Sequence, residues 1–259
     1  MTAVAKRAGE FVQSLDRGLA VIRALGAPEP QTLSEVARGA AMPRAAARRF
    51  LLTLQELGYV REAAGRFALT PRVLDLGYAY LSGLTLPEVA QPHLAQLVAR
   101  VQESSSVSIL DGADIVYVAR VPTRRIMSVT ISVGTRFPAY ATSMGRVLLA
   151  HLPAGEFDAA LKRSELGAIT ESTITGHGAL ERELGRVREQ GWALVDQELE
   201  AGLRSIAAPI RDRSGTVAAA ANLSVHASRV TPSELEQRLL PPLLEAVAAI
   251  EADLRGGGA

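Results

Sequence analysis

The chain has 259 residues, 48% of them apolar, no cysteine and a formal net charge of +1. The absence of cysteine excludes disulfides, thiolate nucleophiles and the usual zinc knuckles. No run approaches the ~20 apolar residues that cross a bilayer, and MTAVAKRAGEF lacks the apolar core of a secretory leader, so a cytoplasmic protein without a membrane partner is expected. The charge is unevenly spread. Residues 1–72 carry eleven basic and six acidic side chains, a net of +5, and the remainder carries 17 and 21, a net of −4. A small basic module ahead of a larger, mildly acidic one is the organisation this predicts. The four histidines (His93, His151, His177, His226) have no metal-ligand spacing, so neither a metal nor a cofactor is expected.

FVQSLDRGLAVIRALG predicts a helix, with Val12, Leu15, Leu19 and Ile22 at helical spacing and Gly26 as its stop. The loop APEPQ follows. In TLSEVARGA, Thr32 and Glu35 have the spacing of a capping box, and Leu33, Val36 and Ala37 form the apolar side. After a short turn, Pro43 suits the first position of a third helix. There Ala47, Phe50, Leu51, Leu54 and Leu57 share one face while Arg44, Arg48 and Arg49 point elsewhere, and Gly58 fits the C-terminal cap. Tyr59–Glu62 and Arg66–Leu69 alternate about a turn at Ala63–Gly65, which predicts a β-hairpin carrying Arg61 and Arg66. Three helices with a tight turn between the second and third, followed by a hairpin, make a winged helix-turn-helix. Its third helix suits the major groove of double-stranded DNA.

RVLDLGYAYLSG predicts a linker helix, and EVAQPHLAQLVARVQES a further helix. SSVSILDG, ADIVYVARVP and IMSVTISVG predict strands. ATSMGRVLLAHL, GEFDAALKRS and ALERELGRVREQG return to helix. GWALVDQELE, RSIAAPIRD and TVAAAANLSV predict strands, the last two joined at Ser214-Gly215. TPSELEQRLLPPLLEAVAAIEADL closes the chain as a helix with a kink or break at Pro241-Pro242. The fold class is α+β: a winged helix-turn-helix (10–71), a linker helix (72–85) and a GAF/PAS-like effector domain (86–256) built on an antiparallel sheet.

Four stretches together carry a family resemblance: SLDRGLAVIRAL, TLSEVARGAAMPRAAARRFLLTLQELGYV, ATSMGRVLLA and VDQELEAGLRSIAAPIRDRSGTVAAAANLSV. Over almost its whole length the chain resembles the IclR family of bacterial transcriptional regulators. VARVPTRRIMSVTISVGTRFPAYATSMGRVLLA is similar to the branch that regulates aromatic-acid breakdown through the β-ketoadipate pathway. The resemblance implies a homodimer or dimer of dimers on an inverted-repeat operator, and a small, aromatic carboxylate as effector.

Candidate DNA contacts follow from residue type. Arg44, Arg48 and Arg49 can read guanine edges or bind phosphate, with an intramolecular ion pair as the alternative for Arg49. Thr32 and Ser34 begin the second helix and could hold phosphate; Thr32 could equally be a cap alone. Arg61 and Arg66 extend the basic surface along the hairpin. In the effector domain, the resemblance places Ser143 and Met144 at the cavity, and Asp196, Glu198 and Ser205 on the strand pair around GLRS. Asn222 and Ser224 alternate on the last strand, so both face one side. That side is either a polar pocket or solvent. Arg120 and Arg146 are candidates for the effector carboxylate, with a salt bridge as the alternative for Arg146. Asp196 and Glu198 would share a strand face, suited to an acid–base pair, a metal or, more simply, effector hydroxyls. No nucleophile elbow, Walker motif or Rossmann fingerprint is present, so no catalytic residue is assigned and the chain is read as no enzyme. Two rivals remain: a constitutive DNA-binding protein whose C-terminal half only oligomerises, and an enzyme acting on a small carboxylate or ester.

Overall fold

The computed structural model describes residues 11–27, 29–76, 85–123, 131–163 and 166–256. They form two compact units, one within Met1–Gly83 and one within Leu84–Ala259. Most of the expected linker helix lies outside the described residues. Its described start is a 3₁₀ turn, Pro71–Val73, in which the Thr70 hydroxyl accepts the Arg72 N–H.

The first unit has helices α1 (Gln13–Ala24), α2 (Leu33–Gly39) and α3 (Arg44–Glu56) and strands β1 (Gln31–Thr32), β2 (Val60–Ala63) and β3 (Arg66–Leu69). Its core gathers Val21, Leu25, Val36, Ala40, Leu51, Leu54, Val60 and Phe67. The wing's register pairs Ala63 with Arg66. That leaves a two-residue loop in which Ala64 and Gly65 both have positive φ (51° and 72°), the twist a tight hairpin requires. Two features depart from expectation. The residues before α2 form β1, which pairs with β3 and makes the wing three-stranded. Along α1, Val21 and Leu25 are buried, whereas Val12 and Leu15 are 60% and 62% exposed. The first half of the stripe therefore stands outside, while Ile22 packs against the core, because the small core reaches only the last two turns of the helix.

The second unit is built on a six-stranded antiparallel sheet ordered β6-β5-β4-β9-β8-β7. The strands are β4 (Ser104–Asp111), β5 (Asp114–Val121), β6 (Arg136–Pro138), β7 (Ala193–Asp196), β8 (Leu203–Arg211) and β9 (Val217–His226). Helix α4 (Thr85–Val101) and the closing helix α8 (Leu240–Gly256) cover one face, with Val107, Ile206, Ala221 and Leu223 packed beneath them. Helices α5 (Ser143–Ala150) and α7 (His177–Gln190) cover the other, over Ile115, Ala207 and Ala220. Helix α6 (Ala154–Arg163) lies between them in the chain.

Three local expectations shift. The first five residues of IMSVTISVG lie outside the described residues; its end turns at Gly134 (φ 87°), and the described strand here is Arg136–Pro138. Strand β7 stops at Asp196, because Gln197 adopts φ 60° and starts a turn. Pro241 and Pro242 lie inside α8 without ending it; the turn before them, Leu235–Leu239, widens to a π-type turn. Proline supplies no N–H to the preceding turn, and the wider winding accommodates that loss.

Candidate functional sites

The first candidate is the outer surface of α3. Ala47, Leu51 and Leu54 are buried, and their spacing rotates Arg44, Arg48 and Arg49 outward, where all three are exposed. None of them has a carboxylate within 4.0 Å among the described residues, so the ion-pair alternative for Arg49 is not realised. Arg61 on the wing is likewise exposed.

Two other predicted contacts are partly committed to the fold. Glu35 Oε2 accepts both the Thr32 N–H (2.7 Å) and the Thr32 hydroxyl (2.8 Å), and Glu35 N–H returns to that hydroxyl (3.4 Å). The capping box thus consumes Thr32, and its hydroxyl is unavailable to phosphate. These bonds, the backbone one first, hold the Glu35 carboxyl below its ordinary range. Arg66 Nη1 donates to the Pro30 carbonyl (2.9 Å) and lies 3.9 Å from Glu35, tying the wing to β1. Ser34 is half-buried beside Thr32 and makes none of these bonds.

The second candidate is a narrow recess between the sheet and the start of α5, with a cavity volume of only ≈ 10 Å³, so a ring-sized ligand must spread its walls. The strand register builds its wall. Ser104, Ser224, Ser205 and Val195 stand side by side across four strands, and Arg120, Ser106, Asn222 and Ala207 form the adjacent row. Asn222 and Ser224 are 3% and 8% exposed, so the solvent alternative for this face is excluded. Asn222 is fixed by its neighbours: its Oδ1 accepts the Ser106 N–H (3.1 Å) and its Nδ2 donates to Ser224 Oγ (3.0 Å). That bond occupies a lone pair of Ser224 and leaves its proton free to donate.

The Thr142 hydroxyl caps α5 by accepting the Gly145 N–H (3.0 Å). Ser143 and Met144 follow it in the lining, with Tyr117, Leu199 and Leu203 opposite. Ser143 Oγ is buried and has no hydrogen-bond partner among the described residues. Met144 Sδ accepts Ser108 Oγ (3.3 Å). The Tyr117 ring stands edge-on to Phe137, and burial pushes its phenol up to about 12, so it remains protonated. Arg120 lies beside this lining: its Nη1 donates to Ser106 Oγ (3.2 Å), and burial lowers the pKa of its guanidinium.

Three predicted effector ligands are placed elsewhere. Arg146 is only 1% exposed; its Nε donates to the Tyr140 carbonyl (2.9 Å) and its Nη2 to Glu198 Oε2 (2.5 Å). Arg204 holds Asp196 through two bonds of 2.8 Å. Asp196 ends β7 while Glu198 lies in the following turn, so the two share no strand face. Both carboxylates are neutralised by arginines outside the lining, which leaves nothing there for an acid–base pair or a metal.

What remains in the lining is a set of donors: the Ser143, Ser205 and Ser224 hydroxyls, the Tyr117 phenol and the first N–H groups of a helix. Such a set stabilises an anion or a strong acceptor and gives a cation no counter-charge. Sequence reasoning missed Tyr117, Leu199 and Leu203. The alternation Ser104, Ser106, Ser108 on β4 is the same period-two signal that marks Asn222 and Ser224.

Residues 14–64 match the IclR helix-turn-helix domain, and residues 78–252 match the bacterial transcriptional regulator IclR C-terminal domain. A Pca regulon regulatory protein from Pseudomonas putida is 48% identical over 239 residues, 92% of this chain and 82% of that one. A p-hydroxybenzoate hydroxylase transcriptional activator from Acinetobacter baylyi is 35% identical over 243 residues, 92% and 90% of the two chains. The crystal structure of an IclR homolog complexed with 4-hydroxybenzoate, from Microbacterium hydrocarbonoxydans, superposes with a TM-score of 0.82 at 28% identity, covering 94% and 99%.

Proposed function

Since the chain belongs to the IclR family of bacterial transcriptional regulators, we propose that it controls genes of aromatic-acid breakdown, in the cytoplasm, in response to a small aromatic carboxylate. It is a ligand-responsive DNA-binding regulator, not an enzyme. The observation that carries the effector reading is the recess whose polar lining is mostly hydroxyls, with no carboxylate in it, and whose Ser143 Oγ, at the start of α5, has no partner among the described residues. A carboxylate at that helix end would meet free N–H groups and the Ser143 hydroxyl. The ring would lie against Tyr117, Leu199 and Leu203, and Ser205 and Ser224 would serve ring substituents. Arg120 would add positive charge from the edge.

On the DNA side, Arg44, Arg48 and Arg49 from two protomers would read the halves of an inverted repeat, while Ser34 and Arg61 hold phosphates. Residues 10–71, 72–85 and 86–256 would serve as reading head, linker and sensor. Ligand changes operator binding only if it prefers one arrangement of the dimer.

Thermal denaturation with 4-hydroxybenzoate and 3-hydroxybenzoate tests the sensor. Ligand at 100 times its dissociation constant adds about 2.7 kcal/mol of stability, and adding it should change operator affinity in a gel-shift titration. Intact operator binding with a flat thermal response to both acids would overturn the aromatic-acid assignment.

A further inference from the structure

We propose that the Arg146–Glu198 ion pair is the positioning latch of the recess, holding the wall that bears Leu199 and Leu203 against the start of α5. The proposal rests on the reading of that recess as the effector site. Arg146 sits one helical turn beyond Ser143, on the helix that begins at the recess. Its guanidinium leaves the recess and meets Glu198 Oε2 at 2.5 Å, with Glu183 at 3.8 Å. The same Glu198 oxygen accepts the Ile174 N–H (2.9 Å), and the Glu198 carbonyl accepts the Thr173 hydroxyl (2.7 Å). Next to it, the Gln197 carbonyl accepts the Thr170 hydroxyl (2.7 Å).

The turn is also closed internally. Gln197 N–H donates to the Leu203 carbonyl (2.7 Å), and Gly202 N–H donates to Gln197 Oε1 (3.0 Å). It therefore behaves as one piece, with Leu199 and Leu203 on the recess side and Glu198 gripped from outside. A single carboxylate thus joins helix start, wall and the segment around Thr173. Neither Arg146 nor Glu198 lines the recess, so both act through the residues they hold. An apolar pair of equal volume would stabilise the fold as well or better. It would not fix the direction or register of the contact as a hydrogen-bonded ion pair does. In so narrow a recess, a wall displaced by a fraction of an ångström loses its contacts with a ligand.

The test uses the full chain carrying Glu198→Gln or Thr173→Val, with 4-hydroxybenzoate as probe. Either variant should weaken binding by about tenfold or more, and amide exchange at Ile174 and Leu203 should accelerate. Exchange at Leu94 and Ile250, and operator affinity without ligand, should match the parent; Arg146→Lys, which keeps the charge but not the fork, should fall between. Unchanged local exchange would overturn the latch, as would a lower melting temperature with undiminished affinity of the folded protein, the mark of a purely structural pair. If the parent protein does not bind 4-hydroxybenzoate, the aromatic-acid assignment fails while the exchange measurement still judges the latch. If Glu198→Gln does not fold, Thr173→Val, which removes one hydroxyl and no charge, decides alone.

Discussion

Arginine does opposite work in the two units. In the first, Arg44, Arg48, Arg49 and Arg61 stand in solvent, and the one ion pair among the described residues there is the long Arg66–Glu35 contact. In the second, Arg146 and Arg204 are 1% and 7% exposed, and each is saturated by a carboxylate and backbone carbonyls. Charge left without an internal partner is available to an external anion, and the phosphate-lined surface of DNA is such an anion. Charge already neutralised inside the protein positions other groups. Residue type does not separate the two uses; the partner does.

The comparison breaks first if the buried arginines prove dispensable. Arg204 grips Asp196 with two bonds and also donates to the carbonyls of Ala227 and Val230. Arg204→Ala leaves Asp196 without its counter-charge and two carbonyls without donors. Asp196 is 36% exposed, so the figure for a fully buried pair is discounted for solvent screening; a loss of about 2–3 kcal/mol is expected, read as a fall in the urea midpoint of the second unit. An unchanged midpoint would place Arg204 with the solvent-facing arginines.

Gly145→Ala sharpens the same point without touching a charge. A Cβ at Gly145 would lie 2.1 Å from the Ala139 carbonyl oxygen and 2.4 Å from its Cα, and backbone cannot yield as a side chain does. Overpacking of this kind costs about 1–3 kcal/mol. Because the start of α5 must move, the thermal response to an aromatic acid should vanish while operator affinity without ligand persists.

Arg48→Ala is the reciprocal case. Operator affinity should fall by about 1–3 kcal/mol if it reads a base edge, or fall uniformly across sequences with a shallower salt dependence if it holds a phosphate. Folding stability should stay within about 0.5 kcal/mol, as for exposed substitutions generally. Loss of stability without loss of affinity would mean that the side chain serves the fold after all.

Local signals explain how much of this was legible beforehand. The capping box at Thr32 and Glu35, a hairpin turn within Ala63–Gly65 and the 3.6-residue spacing of Ala47, Leu51 and Leu54 act within a few residues, and sequence carries them directly; that Ala63 pairs with Arg66 and shortens the turn to two residues came only with the register. Asn222 and Ser224 could be placed on one face by period two alone, but their burial depended on the register with Ser104 and Ser205, which no local pattern encodes. The partners of Arg146 and Arg204 lie 52 and 8 residues away, so their engagement emerged only with the sheet order. The exposed first half of the α1 stripe misled for the opposite reason: helical spacing of apolar residues shows that a face exists, not that this chain covers it.

The smallest expected effect concerns the half-buried His151, at the C-terminal end of α5, whose Nδ1 bonds the Val147 carbonyl (2.8 Å). Burial lowers its pKa from 6.5, the Val147 bond opposes that shift, and the nearby Arg211 and Arg188 charges reinforce it. Above pH 6.5 the imidazole is neutral in both states and contributes no pH dependence. As pH falls below 6.5, the unfolded chain takes up the proton while the folded chain resists it, so stability declines with acidification. The decline levels off once pH passes below the lowered folded value. Against the paired arginines, His151 is thus a half-buried base kept neutral chiefly by burial, with the like charges of Arg211 and Arg188 adding to the shift. His151→Asn should flatten this part of the stability–pH curve, measured as the difference in urea midpoint between variant and parent at pH values on either side of 6.5. A difference that does not change across that range would show that the imidazole is protonated as readily folded as unfolded.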